Sequence, residues 1–278
     1  MNEAVAVERI RLRLDIAYDG TDFSGWAFQP GRRTVAGEVW RSLAGLFGDP
    51  AGLTVAGRTD AGVHATGQVA HVDVPAERWA MYSDRPLWRL RGILPPDVRI
   101  TAVTEVPSAF NARFSALSRR YVYRVADTVW GVDPLRRVDT TAWPRPIDMD
   151  AMNAAAEVLV GEHDFAAFCK RREGATTVRA LRTVRWERDN AGIACATVVA
   201  DAFCHSMVRS LVGAMLAVGD GRRDAAWLAK LLSRTERSGE VLVAPAGGLT
   251  LAEVEFGAGP AQWADRQTQT RRTRTLRR

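Results

Sequence analysis

The stretch Ala56-Gly57-Arg58-Thr59-Asp60-Ala61-Gly62-Val63-His64-Ala65-Thr66-Gly67-Gln68 concentrates more chemistry than any other part of the chain. Its three glycines free the backbone to take positive φ and to approach a ligand closely, so it can expose a carboxylate that a regular element would hide. Asp60 is that carboxylate. With Arg58 two residues away, an ion pair would keep Asp60 ionised and fix its direction, as a carboxylate nucleophile or general base requires. The same residues suit a structural turn in which Asp60 supplies an Asx-type cap, and on residue types alone that reading stands beside the catalytic one.

Other templates fit less well. A Walker loop needs Gly-Lys-Ser/Thr, whereas Gly62 is followed by Val63 and His64; there is no GxGxxG opening a helix and no GxSxG. His64, His71, His163 and His205 lack metal-ligand spacing, and Cys169, Cys195 and Cys204 are odd in number without a CxxC, which speaks against a zinc site or a disulfide framework. Cys204 and His205 are adjacent and, if extended, point to opposite faces, against a thiol–imidazole pair. No metal or cofactor is expected.

Two regions suit a polyanion. Arg113, Arg119, Arg120 and Arg124 lie in an acid-free stretch with Tyr121 and Tyr123 among them, a combination fit for phosphate contact beside a stacked base. From Lys170 to Arg188, seven basic residues face only Glu173 and Glu187. A solvated charged surface is the alternative for both. The whole-chain balance is a poorer guide. The 278 residues net +6, yet residues 260–278 hold six Arg and one Asp, which leaves the rest at +1.

The elements that must hold these groups follow from periodicity. Ile10, Leu12, Leu14, Ile16 and Tyr18 alternate with charged residues, a strand with one buried face. Val35, Val39, Leu43 and Leu46 recur at helical spacing behind Thr34, an N-cap. Strands are read at Leu53 to Ala56 and Gln68 to Val74, flanking the Gly57 to Gly67 loop, then a helix around Asp84 to Arg91 and a strand near Val98 to Glu105. A second half repeats this grammar: a strand through Arg119 to Val125, a helix from Asp148 to Val160 stopped by Gly161, and strands at Thr183 to Glu187 and Ile193 to Asp201. Helices from Ser206 to Val218 and Arg223 to Leu232 and a strand at Leu249 to Phe256 complete it. The reading is an α/β (α+β) chain of two similar halves, 1–108 and 109–256, with 257–278 a basic tail without structure. Deleting 260–278 is then expected to flatten the salt dependence of binding and to leave activity in place. The longest uncharged runs are 12 residues, against about 20 for a membrane span, and early charges argue against a secretory signal, so a cytoplasmic address is expected.

These residues together resemble the tRNA pseudouridine synthase A family, which isomerises uridines in the tRNA anticodon stem-loop. The resemblance runs from about Arg9 to Phe256. It is carried by Gly57-Arg58-Thr59-Asp60-Ala61-Gly62-Val63-His64, by Tyr18-Asp19-Gly20 with Phe23, Gly25 and Trp26, and by Ala112-Arg113-Phe114-Ser115 leading to Arg119-Arg120-Tyr121. Gly161 with Asp164-Phe165 and Phe168, Phe203 with His205-Met207-Val208-Arg209, and Gly248-Leu249 complete it. Ala27 departs from the family's usual Gln after Trp26, and Ser206 stands where a second His can occur; neither touches Asp60.

The resemblance implies that Asp60 is the nucleophile for uridine at positions 38–40, that Tyr121 stacks on the extruded base, and that Arg58 displaces the base or holds the flipped backbone. It further implies that Arg209 pairs with Asp60 and that Leu249 packs against the aromatic ring. The implied fold has mixed, mostly antiparallel sheets joined across a central basic cleft, and the implied assembly is a homodimer in which one tRNA touches both subunits. No small-molecule cofactor and no membrane enter. A non-catalytic RNA-binding protein and a carboxylate-dependent hydrolase are the rival readings.

Overall fold

The computed structural model describes residues 7–170 and 174–270. They form two compact units: one takes in the chain through Leu117 and resumes at Val254, and the other is Ser118–Glu253. This division places the Ala112-Arg113-Phe114 stretch with the amino-terminal residues.

In the first unit the order is β1 (Arg9–Tyr18), α1 (Val35–Phe47), β2 (Ala51–Val55), β3 (His64–Pro75), α2 (Ala76–Tyr82), α3 (Pro86–Ile93) and β4 (Val98–Val106). Strand β1 is central and pairs antiparallel with β3 and β4; β2 also lies antiparallel on β3. Alternation in β1 sends Leu12, Leu14, Ile16 and Tyr18 into the core. Opposite them stand Val72, Ala70 and Gln68, and the register then slips, so that Ile16 faces Gln68 while Tyr18 faces Ala65. This bulge lies where the Asp60 loop runs into β3, a common place for a strand to be re-aimed. Helix α1 starts as expected: Thr34 caps it by accepting the Gly37 amide at 3.2 Å.

The second unit contains β5 (Ala116–Ala126, entering from the first unit), β6 (Thr141–Ala142), α4 (Met149–Ala156), β7 (Gly161–Asp164), β8 (Val178–Arg188), β9 (Ala194–Ala200), α5 (Met207–Gly219), α6 (Ala225–Leu232) and β10 (Leu249–Phe256, returning to the first unit at Val254). Strand β9 lies antiparallel between β5 and β8, β7 extends β8, and the short β6 joins β5 in parallel. The architecture is thus α/β with mostly antiparallel pairing. Helix α5 is apolar nearly all round and buried along its length, as its composition dictates. At Gly213 the backbone of Leu242 passes so close that a Cβ would overlap its carbonyl oxygen.

Two expectations are corrected. Cys169 and Cys204 form a disulfide, 35 residues apart in sequence and 5.8 Å between Cα atoms. Spacing could not show this, because the two segments meet through tertiary contact, with the Lys170 amide donating to the His205 carbonyl at 3.1 Å. Nor is the chain after 257 without structure, since α7 (Pro260–Thr270) is a helix. It has almost no apolar periodicity and is held by a single ring and by polar side chains. Trp263 meets Phe110 edge-on at 5.1 Å, Arg266 Nε donates to the Ala116 carbonyl, and Gln267 Nε2 donates to the Ala109 carbonyl at 2.6 Å. Residues 271–278 lie outside the described residues. Deleting 260–278 should therefore lower Tm by roughly 3 to 8 °C, beyond any change in salt dependence; an unchanged Tm in thermal unfolding would contradict this packing.

His71 makes the first unit sensitive to acid. It is buried, and its Nδ1 accepts the Ala112 amide at 3.0 Å, so the folded state uses the neutral ring. Burial, reinforced by the charge of Arg11, pushes its pKa down to about 4. Between about pH 6.5 and 4 the unfolded chain takes up a proton that the folded chain refuses; stability is full above that window and falls as pH drops through it. In urea titrations the protein should lose roughly 2 to 3 kcal/mol more than His71→Asn between pH 7 and 4.5. Parallel losses would show that His71 does not titrate on unfolding. Among the described residues, no helix is long and apolar enough to cross a membrane.

Candidate active site

The Asp60 loop is fastened from one side by residues about forty positions earlier. The Trp26 amide donates to the Thr59 carbonyl at 3.1 Å, the Gly62 amide to the Phe23 carbonyl at 3.3 Å, and the Gly20 amide to His64 Nδ1 at 3.0 Å. Within the loop the Val63 amide closes a turn onto the Asp60 carbonyl at 3.2 Å. Two glycines permit this approach. Gly25 has φ +91°, and a Cβ on it would lie 2.8 Å from the Thr59 carbonyl oxygen; a Cβ on Gly20 would overlap that of Val63. The Tyr18-Asp19-Gly20 and Phe23-to-Trp26 blocks thus serve as the seat of the Asp60 loop.

Asp60 itself is half-buried on this seat. Arg58 is exposed, and among the described residues its guanidinium forms no ion pair, so the expected Arg58–Asp60 bridge is not made. Adjacent positions in a tight loop need not converge, which is why a two-residue spacing misled. An exposed, uncommitted guanidinium is still suited to a phosphate or a displaced base.

Tyr121, Arg209 and Leu249 lie in the second unit. Tyr121 is 7% exposed and meets Phe203 edge-on at 5.1 Å, which fixes the plane of its ring. The strand splits the expected basic cluster: Arg120 and Arg124 alternate away from Tyr121 and pair with Glu253 at 2.8 Å and Asp139 at 3.6 Å. Arg119 shares the tyrosine face but is buried, donating to the Asp201 carbonyl at 2.6 Å. Much of this positive charge is therefore engaged by the fold. Of the second basic region, Arg171, Arg172 and Glu173 lie outside the described residues, and Arg185 and Arg188 pair with Glu187 and Asp127.

Arg209 sits in the first turn of α5, where its Nε donates to the Ala244 carbonyl at 2.7 Å and its own carbonyl accepts the Ala244 amide. Leu249 is buried at the start of β10. What joins these elements is Tyr123, expected with Tyr121 among the aromatics beside the Arg cluster and here a core residue instead. Its hydroxyl donates to the Pro245 carbonyl at 2.9 Å and lies 3.0 Å from Thr141 Oγ1, and its ring fills the space a Gly248 Cβ would take. Burial pushes this phenol up to about 12, against the hydrogen bond with Thr141 and the charge of Arg209, which both lower it. Tyr123 thereby ties the 244–248 segment, and with it Leu249, to the strand that carries Tyr121.

Residues 155–257 match the model of a family described as tRNA pseudouridine synthase. The tRNA pseudouridine synthase A of Streptomyces griseus is 57% identical over 270 residues, 96% of this chain and 95% of that protein. Those of Frankia casuarinae and Mycobacterium leprae are 58% and 50% identical, each over 90% of this chain. Among solved structures, a Cbf5-Nop10-Gar1 complex aligns with 74% of this chain and 54% of that chain at 12% identity and TM-score 0.32, a likeness that carries no weight. Identity of one half or more over 90% or more of the chain makes it a member of the tRNA pseudouridine synthase A family.

Proposed function

We propose that the protein isomerises uridine to pseudouridine at positions 38–40 of the tRNA anticodon stem-loop. The observation that carries this reading is the near-full-length identity with proteins of that name. Asp60 acts as the nucleophile: its carboxylate attacks the uridine at the ribose or the base, the glycosidic C–N bond breaks, the uracil turns and a C–C bond forms to its C5; the bond to Asp60 breaks and returns the carboxylate, the C5 proton leaves, and N1 takes up a proton. Atoms and electrons are conserved between substrate and product, so no redox partner is chemically required.

The target base must leave its stack, at a cost of a few kcal/mol. Stacking on Tyr121 returns about 1 to 3 kcal/mol, enough to offset much of that cost. Arg58, exposed beside Asp60 in sequence, holds the flipped backbone or displaces the base, Arg209 acts as the counter-charge to Asp60, and Leu249 packs against the aromatic ring. Family membership also supports a homodimer working on tRNA in the cytoplasm.

The test is incubation of the purified protein with an unmodified tRNA transcript, followed by digestion to nucleosides and chromatography. Pseudouridine should accumulate without any added cofactor. Free uracil or strand scission would mark a hydrolase, and unchanged uridine with retained binding would mark a pure RNA binder.

A further inference from the structure

Gln68 is an amide in a row of core residues. It lies on the buried face of β3 with Ala70, Val72 and Val74, and it is fully buried. A buried amide is costly unless its donors and acceptor are used, and here they are. Nε2 donates to the Gly57 carbonyl at 2.7 Å and to the Tyr18 hydroxyl at 3.2 Å, while Oε1 accepts the Val69 amide at 3.2 Å. The amide cannot be flipped without placing its oxygen against the Gly57 carbonyl.

This orientation leads to the next bond. The Tyr18 hydroxyl accepts from Gln68 and lies 2.8 Å from Thr59 Oγ1, a hydrogen bond in which either hydroxyl can donate. Burial pushes the Tyr18 phenol up to about 12, against the pull of Thr59 and Gln68, so it remains a donor at neutral pH. Tyr18 and Thr59 are 5% and 7% exposed. The chain Gln68 to Tyr18 to Thr59 therefore grips the loop at Gly57 and at Thr59, one residue before Asp60. It does so from the core side, at the bulge where β1 and β3 change register.

We propose that Gln68 and Tyr18 are positioning residues for the reaction: through the Gly57 carbonyl and the Thr59 hydroxyl they hold the Asp60 carboxylate at its point of attack. The proposal rests on the reading of Asp60 as nucleophile. Its signature is a loss in kcat with little change in KM for tRNA, because the network lies in the core and touches no RNA. Misplacement of a reacting group by about 1 Å costs on the order of 100-fold in rate, so Tyr18→Phe, which keeps the ring and removes the grip, should lower kcat by roughly tenfold to 100-fold.

The experiment measures kcat, KM and Tm for wild type, Tyr18→Phe, Gln68→Leu, Thr59→Val, Thr59→Ser, the double variant Tyr18→Phe/Thr59→Val, and Asp60→Asn. Thr59→Val should lose kcat as Tyr18→Phe does, and Thr59→Ser should recover most of that loss. The double variant should be no slower than the worse single one, since both remove the same bond. Independent, multiplying losses would overturn the proposal, as would losses confined to KM or a Thr59→Ser variant as slow as Thr59→Val. Wild-type kcat in Tyr18→Phe, with Asp60→Asn inactive, overturns the positioning role alone. An active Asp60→Asn overturns the nucleophile reading and the proposal with it. If Gln68→Leu does not fold, the Tyr18 and Thr59 variants decide.

Discussion

Asp60→Asn should reduce pseudouridine formation by on the order of 10⁴-fold or more while tRNA affinity stays within about threefold, the phosphate contacts being left in place. Asn has nearly the same volume, so the change removes the charge and nucleophilicity of one oxygen and little else. The bonds that seat the loop, Trp26 to Thr59, Gly62 to Phe23 and Val63 to Asp60, are made by the main chain and survive it. An interaction made only on the way to the transition state lowers kcat without weakening substrate binding. Binding by filter retention and turnover by tritium release or chromatography separate the two effects. Turnover within tenfold of wild type would remove Asp60 from the mechanism.

Gly20→Ala should also be damaging, and for a mechanical reason. Its Cβ would overlap the Val63 carbonyl, a main-chain atom that can move only if the 57–64 loop moves. Because the Gly20 amide also holds His64 at 3.0 Å, either the loop lifts from its seat or that bond breaks. Overpacking of this kind costs typically 1 to 3 kcal/mol of stability, and a shift of about 1 Å at Asp60 costs a further 100-fold or so in kcat. Gly45→Ala is the control: it lies exposed in α1, a Cβ there meets nothing, and helix propensity favours it by up to about 1 kcal/mol. Thermal unfolding and kcat should fall together in Gly20→Ala and stay level or improve in Gly45→Ala. Wild-type kcat in Gly20→Ala would show that the seat does not set the loop.

Much of the fold could be read along the chain because its signals are local. The alternation from Arg9 to Tyr18 and the run Leu249 to Phe256 mark β1 and β10 to the residue, and Thr34 marks the start of α1. Elements without an apolar period escaped: α2 and β7 are short, and α7 has mainly Trp263 to bury. The candidate site divides in the same way. Glycine spacing and an isolated acid draw attention to Asp60, but the reach of Tyr18, Gly20 and Gly25 to the loop is a tertiary fact. So is the Cys169–Cys204 bond. Arg58 errs in the opposite sense, since nearness in sequence suggested a pair that the loop geometry does not form. Gln68 carried a signal that was passed over: a polar residue at a core position of a strand must have partners, and the partners lead to the loop.

Charge tells a similar story. A net +6 suggested a polyanion, and local clusters of Arg seemed a firmer basis than the carboxy-terminal residues. In the folded chain Arg119, Arg120, Arg124 and Arg188 are all engaged with protein groups, three of them with carboxylates. The case for tRNA therefore rests on kinship and on the Asp60 and Tyr121 settings more than on unpaired charge.

The most direct measurement is a nucleotide-resolution map of pseudouridine in unmodified tRNA transcripts treated with the purified wild-type protein and, in parallel, with Asp60→Asn. Signal confined to uridines at positions 38–40 with wild type, and none with Asp60→Asn, is the predicted result. Wild-type signal absent from the anticodon stem-loop, or signal that persists in Asp60→Asn, would contradict it.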